Sequence, residues 1–187
     1  MDIHTELSLF TGYAGFTLGL RVDGFNSKSV CYVEQDPYCQ SVIQARIRDG
    51  DLTDAPIWDD IKTFDGHPWR GTDIITAGFP CQPHSMAGSR NLNDDRNLWP
   101  DTLRVISEVE PRYILLENVP GINVGDAGRT AYGGTVVGQL SELGYDAEWG
   151  TYSALEAGAP HHRRRWWLLG HTNGEQLQEQ CRPKPNG

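Results

Sequence analysis

A cysteine set between prolines is the residue best placed to do chemistry in this sequence. Phe79-Pro80-Cys81-Gln82-Pro83 follows the apolar run Asp73-Ile74-Ile75-Thr76-Ala77. The prolines fix the backbone on both sides of the thiol. The carboxyl end of a buried strand is also where open α/β sheets bind their ligands. There a thiol whose pKa is lowered by nearby cations or backbone N–H groups becomes a nucleophile, whereas a lone cysteine is more often a buried, inert one. Partners therefore decide the matter. Glu117 closes Tyr113-Ile114-Leu115-Leu116, a run too apolar to solvate a carboxylate. Burial there would raise its pKa and make it a proton donor; the plainer alternative is a cap on the following turn. Arg163 and Arg165 alternate onto one face where His161-His162-Arg163-Arg164-Arg165-Trp166-Trp167 enters a strand. Beside a nucleophile they suit a phosphate or the electron-rich edge of a base, and elsewhere they would be a solvated edge.

A second constellation reads as a nucleotide site. Leu7-Ser8-Leu9-Phe10 runs into Thr11-Gly12-Tyr13-Ala14-Gly15 and then a helix whose free N–H groups face the turn. The spacing Gly12, Gly15, Gly19 does not match G-x-G-x-x-G, so the turn alone decides little. Glu34 lies about 20 residues further on, at the end of the next strand, where α/β nucleotide sites place an acid for the ribose hydroxyls. Together the turn and the acid point to an adenosine-type cofactor.

The elements that must hold these residues follow from periodicity and turn signals. Strands are expected at Leu7 to Phe10, Ser29 to Glu34, Asp73 to Ala77, Arg112 to Glu117, Tyr145 to Tyr152 and Arg165 to Gly170, with a short one near Ile57. Between them lie a helix capped by Asp36 with Pro37 in its first turn and Val42, Ile43 and Ile47 inward, and one through Leu103, Ile106 and Val109 stopped by Pro111. A third runs from Val136 to Leu143 and ends at Gly144. The alternation is that of a parallel α/β sheet. Gly78 to Asn97 is rich in Gly, Pro, Ser and Asn without periodicity, and a loop of that length within a domain is usually functional.

Composition narrows the class. At 187 residues, 38% hydrophobic and 22% charged, the chain makes one globular domain. It holds no apolar run of the roughly 18 to 20 residues a membrane span needs, and its start lacks the features of a signal peptide. Its four cysteines form no C-x-x-C pair and no ligand spacing with the six histidines, which argues against disulfides and structural zinc; no metal is expected. A net charge of −9 argues against a large nucleic-acid footprint.

Taken in order, these segments resemble the cytosine-5 DNA methyltransferase family over roughly Leu7 to Gly170. The family's cofactor motif is similar to Phe10-Thr11-Gly12-Tyr13-Ala14-Gly15, its ribose acid to Glu34 with Gln35 beside it, and its adenine-flanking pair to Asp60-Ile61. Its nucleophile motif is similar to Pro80-Cys81, its Glu-Asn-Val motif to Glu117-Asn118-Val119, and its Gln-x-Arg-x-Arg motif to His161 through Arg165. Ser8, Ala14 and His161 depart from the residues common in the family.

The resemblance implies a Rossmann-like, S-adenosylmethionine-dependent methyltransferase fold of class α/β, a mostly parallel sheet with flanking helices. Residues 1–170 would form the catalytic and cofactor-binding domain, and 171–187 a polar tail or the start of a target-recognition domain. That domain, and the last segment that returns to complete the cofactor site in family members, are not in this chain. The implied reaction is methyl transfer from S-adenosyl-L-methionine to C5 of a cytosine flipped out of double-stranded DNA, with Cys81 adding to C6, Glu117 at N3 and Arg165 at O2, and with Arg163 as a further catalytic residue. Gln82, Ser85, Arg90, Arg96 and Asn118 are the expected substrate contacts, and the loop from Pro83 to Asn97 the lid. Such an enzyme belongs in the cytoplasm of a bacterium or a phage-infected host, in restriction–modification or a phage-borne defence against it, and could be completed by a separate recognition fragment. The alternatives are a non-catalytic remnant that holds cofactor or DNA, and an RNA (tRNA) cytosine-5 methyltransferase. A NAD-dependent dehydrogenase leaves Cys81 and Glu117 unexplained.

Overall fold

Strand β1, His4–Leu9, begins with polar residues that pair as well as its apolar end does. In the computed structural model, which describes residues 3–80, 97–123 and 131–172, β1 is followed by helix α1 (Gly15–Val22), β2 (Ser27–Val33), α2 (Pro37–Arg48) and β3 (Ile57–Trp58). Then come β4 (Ile74–Ala77), α3 (Trp99–Val109), β5 (Tyr113–Asn118), α4 (Tyr132–Glu142), β6 (Tyr145–Ser153) and β7 (Arg164–Thr172). The strands form one seven-stranded sheet in the order β3-β2-β1-β4-β5-β7-β6. β1 to β5 pair in parallel, and β7 runs antiparallel between β5 and β6. The expected class, α/β and Rossmann-like with a mostly parallel sheet, is the observed one.

Local chemistry explains the boundaries. Asp36 accepts the N–H of Tyr38 at 2.8 Å with Pro37 in the first turn of α2. Gly144 takes φ +89 after α4, a left-handed value that glycine adopts without strain. Cysteines Cys31 and Cys39 are free. β7 continues through His171 and Thr172, two residues past the expected end of the domain; Asn173 to Gly187 of the expected tail lie outside the described residues.

Alternation along the strands divides the core. On one face Leu7, Leu9, Val33, Ile75, Ala77, Ile114, Leu116, Trp166 and Leu168 pack on α3 and α4 through Val105, Ile106, Val109, Val136 and Leu140. On the other face Tyr32 packs with Ile43 of α2 and with Ala14. Also on that face, the buried carboxylate of Glu6 accepts hydroxyl bonds from Thr17 (3.0 Å), Ser29 (3.2 Å) and Thr76 (2.9 Å), joining α1 to three strands. Further along it Leu115, Glu117, Arg165 and Trp167 are half-buried, and α1 reaches them through Phe16, which meets the Trp167 ring edge-on at 5.5 Å.

Candidate active site

Two depressions open at the carboxyl edge of the parallel strands. The first, about 300 Å³, is lined by Phe10, Val33, Glu34, Gln35, Asp36, Asp59, Asp60, Ile61, Pro80 and Leu98. The end of β2 delivers Glu34 into it. Glu34 Oε2 accepts the N–H of Gly12 at 2.7 Å and Oε1 that of Asp36 at 2.8 Å. An ionised carboxylate has about four lone-pair sites, so each oxygen keeps room for another donor. The turn that approaches Glu34 is tightly wound: Phe10, Gly12 and Ala14 take φ +52, +55 and +60. For Ala14 a left-handed backbone costs roughly 1–2 kcal/mol, a conformation that glycine would adopt without strain.

The cofactor residues expected from sequence do not all meet there. Phe10, Glu34, Gln35, Asp60, Ile61 and Pro80 line the cavity, and Gly12 reaches it through its N–H. Thr11 is buried and donates to Ser8 O at 3.0 Å. Ala14 is buried in the α2 cluster. Tyr13 points outward, edge-on to Tyr38, and Gly15 lines the neighbouring groove. Asp36, Asp59 and Leu98 are further lining residues; the two aspartates flank expected positions, whereas nothing in the sequence marked Leu98.

The second depression, about 470 Å³, runs between α1 and the half-buried face of β5 and β7, lined by Gly15, Phe16, Gly19, Leu20, Asp23, Leu115, Glu117, Arg163, Arg165 and Trp167. The antiparallel register places the start of β7 beside the end of β5, with Glu117 opposite Trp167. Arg165 Nε thereby lies 2.6 Å from Glu117 Oε1, with the two side chains 25% and 22% exposed. Burial pushes the Glu117 carboxyl above its ordinary value, while Arg165 and Arg163 pull it back down. A Cβ on Gly78 would stand 3.4 Å from Glu117 Oε2, so a glycine lets β4 end close to this carboxyl. Phe16, Gly19, Leu20 and Asp23 share one side of α1 at spacings of three and four residues, a helical signal in the sequence that the glycine motif obscures.

Asn118, expected to meet substrate, turns inward instead. It is buried; its Nδ2 donates to Phe79 O at 3.0 Å and its Oδ1 accepts Val119 N–H at 2.8 Å. With both ends of the amide engaged, Asn118 holds the backbone two residues before Cys81 against the strand end that carries Glu117. Cys81, Gln82, Ser85, Arg90 and Arg96 lie outside the described residues, as does most of the expected lid. Pro80 places the last described point of that segment on the rim of the first cavity.

A parallel sheet with one inserted antiparallel strand, carrying an acid-bearing cavity and a Glu–Arg groove side by side at its carboxyl edge, defines a Rossmann-like methyltransferase. The family model for C-5 cytosine-specific DNA methylases matches residues 4–186, and the chain belongs to that family. Its methyl donor is S-adenosylmethionine. Similar proteins include the type II methyltransferase M.CviJI of Paramecium bursaria Chlorella virus IL3A, 34% identical over 166 residues that make up 87% of this chain and 42% of that protein. Another is the type II methyltransferase M.HhaI of Haemophilus parahaemolyticus, 32% identical over 184 residues, 96% of this chain and 52% of that protein. The chain thus spans about half the length of these relatives. The fold matches the crystal structure of S. pombe Dnmt2 methyltransferase with a TM-score of 0.73 at 22% identity, over 95% of this chain and 52% of that one. No helix among the described residues is long and apolar enough to cross a membrane.

Proposed function

We propose that the chain is the catalytic half of an enzyme that methylates C5 of cytosine in double-stranded DNA, with Cys81 as the covalent nucleophile. The observation that carries this reading is the tie from Asn118 Nδ2 to Phe79 O, which holds the backbone two residues before Cys81 against the strand end where Glu117 meets Arg165. The first cavity fits the cofactor. Glu34 offers a free lone pair on each oxygen to a ribose diol, Phe10, Ile61 and Leu98 supply apolar walls for a flat base, and Asp60 and Gln35 supply polar edges. When bound, S-adenosylmethionine supplies an electrophilic methyl group.

The chain's own residues prepare the carbon that receives it. Cytosine C5 is a weak nucleophile until the Cys81 thiolate adds to C6 and turns the ring into an enamine. The charge that this addition sends to N3 is met by the proton of Glu117, and Arg165 donates to O2 from the adjacent strand. Loss of the C5 proton then breaks the C6–S bond and returns the thiolate. C5 is hidden in a duplex, so the base must be flipped out, at a cost of a few kcal/mol. Ser85, Arg90 and Arg96 are assigned to the phosphates around it.

The test uses the chain joined to the second half of a relative and DNA carrying 5-fluorocytosine, whose fluorine cannot leave as a proton does. An adduct that survives denaturant is expected, and Cys81→Ser is expected to form none; equal yields would overturn the assignment. Methyl incorporation into DNA rather than tRNA fixes the polymer. The 187 residues by themselves are expected to bind S-adenosylmethionine weakly and to methylate no defined sequence, since their charge of −9 gives little attraction to phosphates. Robust sequence-specific methylation by the chain alone would show that it needs no other half.

A further inference from the structure

The wall of the first cavity formed by Asp59, Asp60 and Ile61 belongs to a short turn outside any helix or strand. Something must hold that turn at a fixed height. Within it, the N–H of Lys62 donates to Asp60 Oδ1 at 2.9 Å, which orients the carboxylate, and the N–H of Thr63 donates to Asp60 O at 3.1 Å. From outside it, one side chain of α3 reaches two more carbonyls: Arg104 donates through Nη2 to Ile61 O at 2.7 Å and through Nη1 to Phe64 O at 2.8 Å. The same Nη1 lies 2.9 Å from both oxygens of Glu108, one helical turn on. Glu108 Oε2 in turn accepts the N–H of Gly66 at 2.8 Å. Glu108 also stands in a cluster with Asp65 and His67, but the Arg104 guanidinium already answers its charge.

We propose that Arg104, braced by Glu108, is a positioning residue for the adenine end of the cofactor. It touches no ligand; it fixes the register at which Asp60 and Ile61 face the cavity. Ile61 and Phe64 are buried in the core, so apolar packing already anchors the turn's side chains. Packing is tolerant of small rotations, whereas two charge-assisted bonds to carbonyls three residues apart fix the backbone between them. Gly66 provides an independent observation. A Cβ there would stand 2.9 Å from Glu108 Cβ and 3.1 Å from Val109 Cγ2, so the close approach of turn and helix depends on glycine. The helix that carries Arg104 also begins just after Leu98, which lines the same cavity. One rigid element thereby sets opposite walls of one site.

The inference rests on reading the first cavity as the cofactor's seat. The test titrates the 187-residue chain by NMR, which reads weak dissociation constants, with S-adenosylhomocysteine and with S-inosylhomocysteine, in which a carbonyl replaces the 6-amino group. Wild type is expected to favour the adenine ligand by about tenfold, the worth of one hydrogen bond to a charged group. Arg104→Met is expected to weaken S-adenosylhomocysteine by about tenfold and to bring the two ligands within about twofold of each other. Arg104→Lys, which keeps the charge, should recover part of the preference. Glu34→Ala should weaken both ligands equally and leave their ratio alone, as loss of a ribose contact requires. An Arg104→Met protein with native amide shifts and the wild-type ratio would overturn the proposal. If that variant does not fold, Gly66→Ala decides: a lost preference supports the clamp and a retained one refutes it. Wild type that binds neither ligand would remove the cavity's assignment itself, and this proposal with it.

Discussion

Glu34 and Glu117 stand at the ends of two parallel strands of the same sheet, yet their surroundings differ in kind. Glu34 is held by backbone N–H groups, of Gly12 on one oxygen and Asp36 on the other. Such donors are fixed by the backbone, and they suit a carboxylate that binds. Glu117 sits among Leu115, Trp167 and Phe16 with Arg165 and Arg163 at its open side, so burial and cations pull its proton affinity in opposite directions. A carboxyl balanced in this way can give up and recover a proton as charge appears beside it. In this molecule backbone donors hold one acid, and a contest between desolvation and side-chain cations surrounds the other.

The sharpest way to test that difference is to remove the proton and keep the shape. In the enzyme completed by a second half, Glu117→Gln is expected to lower kcat by about a hundredfold or more with KM for the cofactor little changed. Because burial raises the carboxyl's pKa, wild-type activity should fall as pH rises through that raised value, above the ordinary 4.5, and the variant should lose this limb. Arg165→Gln comes next. Taking away the nearer cation leaves burial less opposed, so the same limb should move to higher pH while kcat drops; a limb that stays in place would mean that the pair at 2.6 Å does not govern the proton.

Glu34→Ala should do the reverse of Glu117→Gln. It should raise KM for S-adenosylmethionine on the order of tenfold or more and leave saturated turnover nearly intact, the signature of binding lost equally from ground and transition states. The smallest effect concerns a third acid. Glu6, buried among hydroxyls, also has its pKa raised by burial. A raised folded value means that stability is fullest below the unfolded pKa and is lost as pH rises through the folded one. Glu6→Gln should flatten that slope in urea titrations between mildly acid and neutral pH, without affecting either depression; an unchanged slope would show that Glu6 ionises freely in the fold.

Much of the fold is legible in the sequence because its signals are local. Asp36-Pro37, Pro111 and Gly144 bound α2, α3 and α4 through capping and backbone rules that need no tertiary partner, and every expected strand forms. β1 nevertheless begins at His4 rather than Leu7, because Thr17, Ser29 and Thr76 supply the donors that let Glu6 enter a buried strand. No window of sequence contains those partners. The site divides in the same way. Glu34, Asp60 and Pro80 are marked by motifs and do line one cavity, whereas Tyr13 and Asn118 are marked by other motifs of the same set and face elsewhere. A motif preserves which residues a turn needs without saying which of them bind and which merely hold the turn. Arg104 reads as an ordinary helical arginine until the turn 43 residues before it in sequence is seen to lie against it.

The insertion of β7 between β5 and β6 also sets an order of events on the ribosome. β6 is made before β7 yet among the described residues hydrogen-bonds to no other strand, and the β5 edge that β7 takes stays bare until β7 arrives. Synthesis therefore passes through a stage in which the first five strands can pair while β6 waits with its backbone N–H and C=O groups unpaired. When β7 docks, it closes both edges and seats Arg165 on Glu117 in the same movement. A nascent chain stalled short of Arg165 would thus carry the walls of the first depression without the ion pair at Glu117, so one depression is assembled before the other.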